Sequence, residues 1–148
     1  MKKIVTHTVM FVAAAALIGA TVASAQVTET VQFKTAFPFT VGNTTYPAGS
    51  FTIKPADDGD NTLLEVSNGS IATLLLVEPE QPNPNQPVKD EVVFKKYGDR
   101  YVLSDIWDQA DGTGVRAQPS IAERRHAAKH GEPTRESVST SKNPASGS

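Results

Sequence analysis

The chain has 148 residues, 14 Lys/Arg against 16 Asp/Glu for a net charge of −2, 39% hydrophobic residues and no cysteine. That length suits one globular domain, and the missing thiols exclude disulfides and thiolate metal sites together. Charge is uneven: residues 26–115 hold 13 acidic against 6 basic side chains, and residues 116–148 hold 3 against 6. An acidic body lacks the cationic face that phosphate binding needs, so nucleic acid is not an expected partner.

The amino terminus sets the expected compartment. Lys2 and Lys3 precede an apolar run at 9–20, VMFVAAAALIGA, and Ala23-Ser24-Ala25 supplies a small-x-small cleavage site. The run is shorter than the roughly 20 residues a membrane span needs. It reads as a signal peptide, residues 1–25, leaving no membrane span after cleavage and a periplasmic or secreted product. The remainder divides into an all-β domain with a terminal helix at 26–130 and a disordered tail at 131–148, rich in Ser, Thr, Pro and Lys. The basic stretch 116–148 is expected to be solvated.

In chain order, residues 27–35 alternate Val27, Val31 and Phe33 against Thr28, Thr30, Gln32 and Lys34, the pattern of a strand with one wet face. Residues 37–54, FPFTVGNTTYPAGSFTIK, hold three short alternating segments separated by Gly42-Asn43 and Pro47-Ala48-Gly49, two turn signals. Residues 62–77 predict a hairpin about a two-residue Asn68-Gly69 turn, pairing Val66 with Ile71 and Leu64 with Thr73 and leaving apolar residues on both faces. Residues 78–90, EPEQPNPNQPVKD, read as an extended surface connection, since proline donates nothing to a ladder.

Residues 91–107 predict a second hairpin about Gly98-Asp99, pairing Tyr97 with Arg100, Lys96 with Tyr101, Phe94 with Leu103 and Val92 with Asp105. Residues 115–118 suggest a last short strand. Ser120 and Glu123 form a capping-box pattern opening a helix through about Lys129, with Ile121, Arg125 and Ala128 on its packing face. The expected fold is all-β: a small antiparallel barrel or sandwich of about eight short strands with one short C-terminal helix.

Taken together, FPFTVGNTTYPAGSFTI, VVFKKYGDRYVLSDIW and SIAERR resemble a set of small exported bacterial proteins of unknown function, over roughly residues 31–125. The resemblance implies an exported all-β domain. It brings no activity, cofactor or catalytic residue.

The sharpest chemical signal is Asp105. The predicted register points it at the core beside Trp107, and a buried carboxylate is costly unless paired or protonated. A general acid or ligand-fixing group is the functional reading. The plainer one is a bulge or strand end turning Asp105 to water, or pairing with Arg116 or Lys96. Asp105, Trp107, Tyr101 and Tyr46 are the candidate ligand-binding residues. Asp57, Asp58 and Asp60 are candidate oxygen ligands for a hard cation such as calcium, although their spacing is not that of an EF-hand and a surface turn explains them as well. His126 and His130, four apart, suit a metal in spacing but lack a third ligand nearby. No nucleophile elbow, zincin helix, phosphate loop or dinucleotide motif occurs, and no cofactor is expected. The leading expectation is a non-enzymatic binding or interaction module, its partner an envelope or extracellular protein. The alternatives are an apolar-ligand carrier with a barrel cavity and a carboxylate-dependent hydrolase.

Overall fold

The computed structural model describes residues 29–57 and 60–143. Ten strands and one helix follow in order: β1 (Thr30–Thr35), β2 (Phe39–Val41), β3 (Thr44–Tyr46), β4 (Gly49–Asp57), β5 (Asp60–Ser67), β6 (Ala72–Glu80), β7 (Glu91–Tyr97), β8 (Arg100–Asp108), β9 (Thr113–Ala117), α1 (Ile121–His130) and β10 (Thr134–Asn143). Eight of the strands run β8-β7-β10-β1-β4-β5-β6-β9, and pairing of β9 with β8 closes them into an antiparallel barrel. Closure leaves these strands no common open edge.

The alternation read from the sequence is the inside-outside alternation of the wall. Val31, Phe33 and Thr35 are buried while Lys34 is exposed, and Leu64, Val66, Leu75 and Val77 point inward. In a barrel of eight strands the interior is just wide enough for side chains to fill it. Here aromatic rings do so: Phe39 lies 4.7 Å from Phe51, 5.0 Å from Phe94 and 5.6 Å from Tyr46, centroid to centroid, and Phe33 lies 5.4 Å from Phe51. The outward leucines of β6 find no cover. Leu74 and Leu76 are 59% and 53% exposed.

The hairpin β2–β3 is not a stave of the barrel. Strand β7 pairs along one edge of β8, so β2 and β9 share the other: β2 runs parallel to Tyr101 and Val102, and β9 pairs with residues 105–108. From β8 the hairpin reaches across to β5 and β6. There Tyr46, fully buried, donates its phenol to the Val66 carbonyl at 2.9 Å and lies 2.7 Å from Thr73 Oγ1. The hairpin thus fills the wall where β9 has run out.

Three readings are corrected. The β5–β6 connection is a four-residue loop, with Ser67 opposite Ala72 and Val66 opposite Thr73, instead of a two-residue Asn68-Gly69 turn. Side chains stabilise the longer loop: Asn68 Oδ1 accepts from the Ser70 and Ile71 N–H groups, and Ser67 Oγ from that of Gly69. The shift of two residues preserves which side chains face inward. Strand β6 continues through Pro79, where it pairs with Val115 of β9. Finally, the disordered tail expected from residue 131 is contradicted over Thr134–Asn143, which forms β10 between β7 and β1; residues 144–148 lie outside the described residues. Main-chain ladders on both sides hold this strand, whose polar sequence gave no hydrophobic pattern to read.

The helix begins where expected. Ser120 Oγ accepts from the Glu123 N–H at 3.1 Å, and Gly131, at φ 78°, returns its N–H to Ala127. Its inward face differs from the expected one. Ile121 is 67% exposed, whereas Glu123 is buried, accepting from Tyr97 Oη at 3.2 Å with Lys95 Nζ 3.9 Å away. A polar anchor, invisible to hydrophobic periodicity, orients α1.

Candidate binding site on the outer wall

The site begins with a β-bulge. Phe94 pairs with Leu103 as the sequence predicts, but the next pair is Val93 with Asp105, so Ser104 is an extra residue on β8. A bulge shifts side-chain alternation by one. Leu103 and Ile106 therefore both face the core, and Asp105 joins Val93 on the outside of the barrel.

The bulge does not bring Asp105 to water. Its side chain is fully buried, and both oxygens are occupied: Ser104 Oγ donates at 2.6 Å, Arg116 Nε at 3.2 Å and Arg135 Nη1 at 3.5 Å. Arg116 lies directly opposite Asp105 on β9, and its Nη2 also donates to Glu80 Oε1 at 2.7 Å. Arg135 reaches the same carboxylate from β10. Two guanidinium groups and a hydroxyl thus compensate a charge that would otherwise be costly to bury. The predicted alternative of an Arg116 partner is present, and the predicted turn toward water is not.

Above these groups the proline-rich segment folds back on the barrel. Asn83 Oδ1 accepts from Asn85 N–H, and Asn83 O from Gln86 N–H, which turns the segment instead of letting it run extended. Asp90 then anchors its end, accepting from Gln109 N–H at 2.8 Å through Oδ1 and from Thr140 N–H through its carbonyl. Between segment and wall is a cavity of about 370 Å³, floored by Val93 and Trp107 and lined by Arg116, Arg135 and Lys89. Trp107 takes its place because residue 114 is glycine: a Cβ there would come within 2.3 Å of the indole ring.

Away from the cavity, Lys142 of β10 stands opposite the buried Val31 and pairs with Asp108 and with Glu29. Burial alone would raise the Asp108 carboxyl, but the Lys142 hydrogen bond and charge, with the Ala110 and Asp111 N–H groups, hold it below its ordinary value. Partial burial likewise opposes, but the Asp108 pairing prevails, in raising Lys142.

The other predicted site residues lie elsewhere. Tyr101 stacks on Phe37 at 3.9 Å, with Lys96 Nζ 5.3 Å over its ring, near the hairpin β2–β3. Tyr46 belongs to the core. Asp57 is exposed at the end of β4, opposite Asp60 in register, and Asp58 lies outside the described residues. Among the described residues no group of three or more His, Asp or Glu is arranged to hold a metal. His126 Nε2 faces Arg100 Nη1 at 2.7 Å, so that nitrogen accepts and the ring is neutral. Partial desolvation and the nearby Arg100, His130 and Lys129 hold His126 below the ordinary histidine range. Arg135, Glu80, Lys89 and Val93 are among the site residues that sequence reasoning missed.

The molecule is thus a closed eight-stranded antiparallel barrel with a polar-rimmed cavity on its outer wall. Compared with known protein families, with curated proteins and with solved structures, the chain matches none of them.

Proposed function

We propose that this chain is an exported, non-enzymatic binding or interaction module, periplasmic or secreted after removal of residues 1–25. Its contact site is the outer-wall cavity under residues 81–90. The observation that carries this reading is the contrast between an interior packed with Phe33, Phe39, Tyr46, Phe51 and Phe94 and an outer cavity bordered by charged side chains. A carrier in the manner of a ligand-holding barrel needs that interior for its cargo. A hydrolase working through Asp105 needs a free carboxylate, and this one is already engaged by Ser104, Arg116 and Arg135.

Native mass spectrometry of the protein taken from the cells that make it tests the reading. The expected result is a chain beginning at Gln26, free of bound lipid. A lipid carried through purification would overturn the module reading in favour of the carrier, and a chain retaining residues 1–25 would overturn export with cleavage.

A further inference from the structure

We propose that the outer-wall cavity takes a carboxylate borne on a small apolar body, a ligand class that rests on the module reading above. Three observations converge. The floor is apolar, made by Val93 and the face of Trp107, with Pro82, Pro87 and Val88 opposite. The unused hydrogen-bonding capacity is of donor type. Arg116 gives two of its five N–H donors to Asp105 and Glu80. Arg135, with its side chain 54% exposed, has among the described residues only the long bond to Asp105. Lys89, from the proline-rich segment, lines the same cavity. Of the acids there, Glu80 is already tied to Arg116 and Glu91 is the remaining carboxylate, so the lining sets Lys89, Arg116 and Arg135 against two carboxylates.

Asp105 is then a positioning residue. Fully buried, it accepts from both guanidinium groups, whose remaining N–H donors belong to side chains that line the cavity. Planar guanidinium forks match carboxylates in a bidentate manner that ammonium groups do not. A volume of about 370 Å³ lies at the small end of ligand cavities, suiting a single ring or short chain. The carboxylate can belong to a free organic acid or to the last residue of a polypeptide.

Trp107 is the chain's one tryptophan and lines the cavity, so its emission reports occupancy directly. The mature protein is titrated with phenylacetate and with phenylacetamide, its uncharged twin, following Trp107 fluorescence and calorimetric heat. Phenylacetate is expected to bind saturably and at least about tenfold more tightly than the amide. Arg135→Gln is expected to weaken it by about tenfold, Arg135→Lys to restore part of that loss, and Lys89→Gln to weaken it several-fold, with the near-UV spectrum retained in all three and the melting midpoint retained in Lys89→Gln, which touches no buried charge. An acetylated Gly-Phe dipeptide, as free acid and as amide, distinguishes the sources: tighter binding of its free acid than of phenylacetate assigns the site to a polypeptide terminus, and weaker binding to a free acid. Equal affinity for acid and amide overturns the proposal, as do unchanged affinity in both Arg135→Gln and Lys89→Gln and the absence of any phenylacetate response. The module reading falls separately, on a lipid found inside the barrel.

Discussion

Replacing Arg116 by Met tests how the buried Asp105 is tolerated. The methionine retains much of the aliphatic stem and removes the guanidinium that donates to Asp105 at 3.2 Å and to Glu80 at 2.7 Å. Breaking a buried ion pair costs about 3–5 kcal/mol, because the surviving charge is left uncompensated. Arg116 is 36% exposed, and Ser104 and Arg135 still serve the carboxylate, so the expected cost is lower, about 2–3 kcal/mol. At roughly 3–6 °C per kcal/mol for a domain of this size, the melting midpoint should fall by about 6–18 °C. Asp105→Asn keeps the shape and the Ser104 contact and removes the charge, so it should cost about 1–2 kcal/mol alone. In the Arg116→Met background it should cost less than alone, a coupling of about 1–2 kcal/mol in a urea-denaturation double-mutant cycle. An Arg116→Met protein within about 0.5 kcal/mol of wild type, or strictly additive variants, would refute the reasoning.

Tyr46→Phe removes the phenol that bonds Val66 and Thr73 while leaving the ring in the aromatic core, and should cost about 1–2 kcal/mol in urea denaturation with an unchanged slope. The Asp108–Lys142 pair sets a pH window. A carboxyl held below its ordinary value stabilises above its unfolded pKa and loses that contribution as pH falls through the folded one; a raised lysine stabilises below its unfolded pKa and loses its contribution as pH rises through the folded one. Lys142→Met should therefore lower stability by about 1 kcal/mol near neutrality and flatten the acid limb of the stability–pH curve, read from melting midpoints across pH. Ending the chain at Gly131 removes β10 and both of its ladders, so the truncated protein should lose cooperative unfolding by circular dichroism.

Much of the wall was legible in the sequence because one face of each strand is buried. The β7–β8 hairpin is the clearest case: Gly98-Asp99 predicts the pairs down to Phe94 with Leu103. The register then departs at Ser104, since period-two reading has no means of placing an extra residue. The structure shows the consequence, in that residues 102–106 are buried without interruption, although Ser104 and Asp105 gave the sequence no apolar run to mark it. The β5–β6 loop went astray because Asn-Gly is a strong two-residue turn signal and the hydrogen bonds of Ser67 and Asn68 favour a longer loop. Strand β10 was illegible for another reason: in RESVSTSKN Val138 is the one apolar residue, so nothing marks a buried face. Missing β10 meant missing Arg135, and with it half of the cation pair over Asp105. The basic stretch 116–148, expected to be solvated, in fact supplies Arg116, Arg135 and Lys142 to the acids of the body.

Strand β10 also governs when the barrel can exist. Its partners are β1, from the other end of the described chain, and β7, so neither of the two ladders that shut the wall can form before residues 134–143 are made. Every shorter nascent chain carries β1 and β7 with unpaired main-chain edges, the kind of surface that recruits other strands. Contacts between such distant segments form slowly, because a long loop must close before they return any free energy. Barrel closure therefore waits for β10, and the aromatic interior stays open to water until that stave arrives.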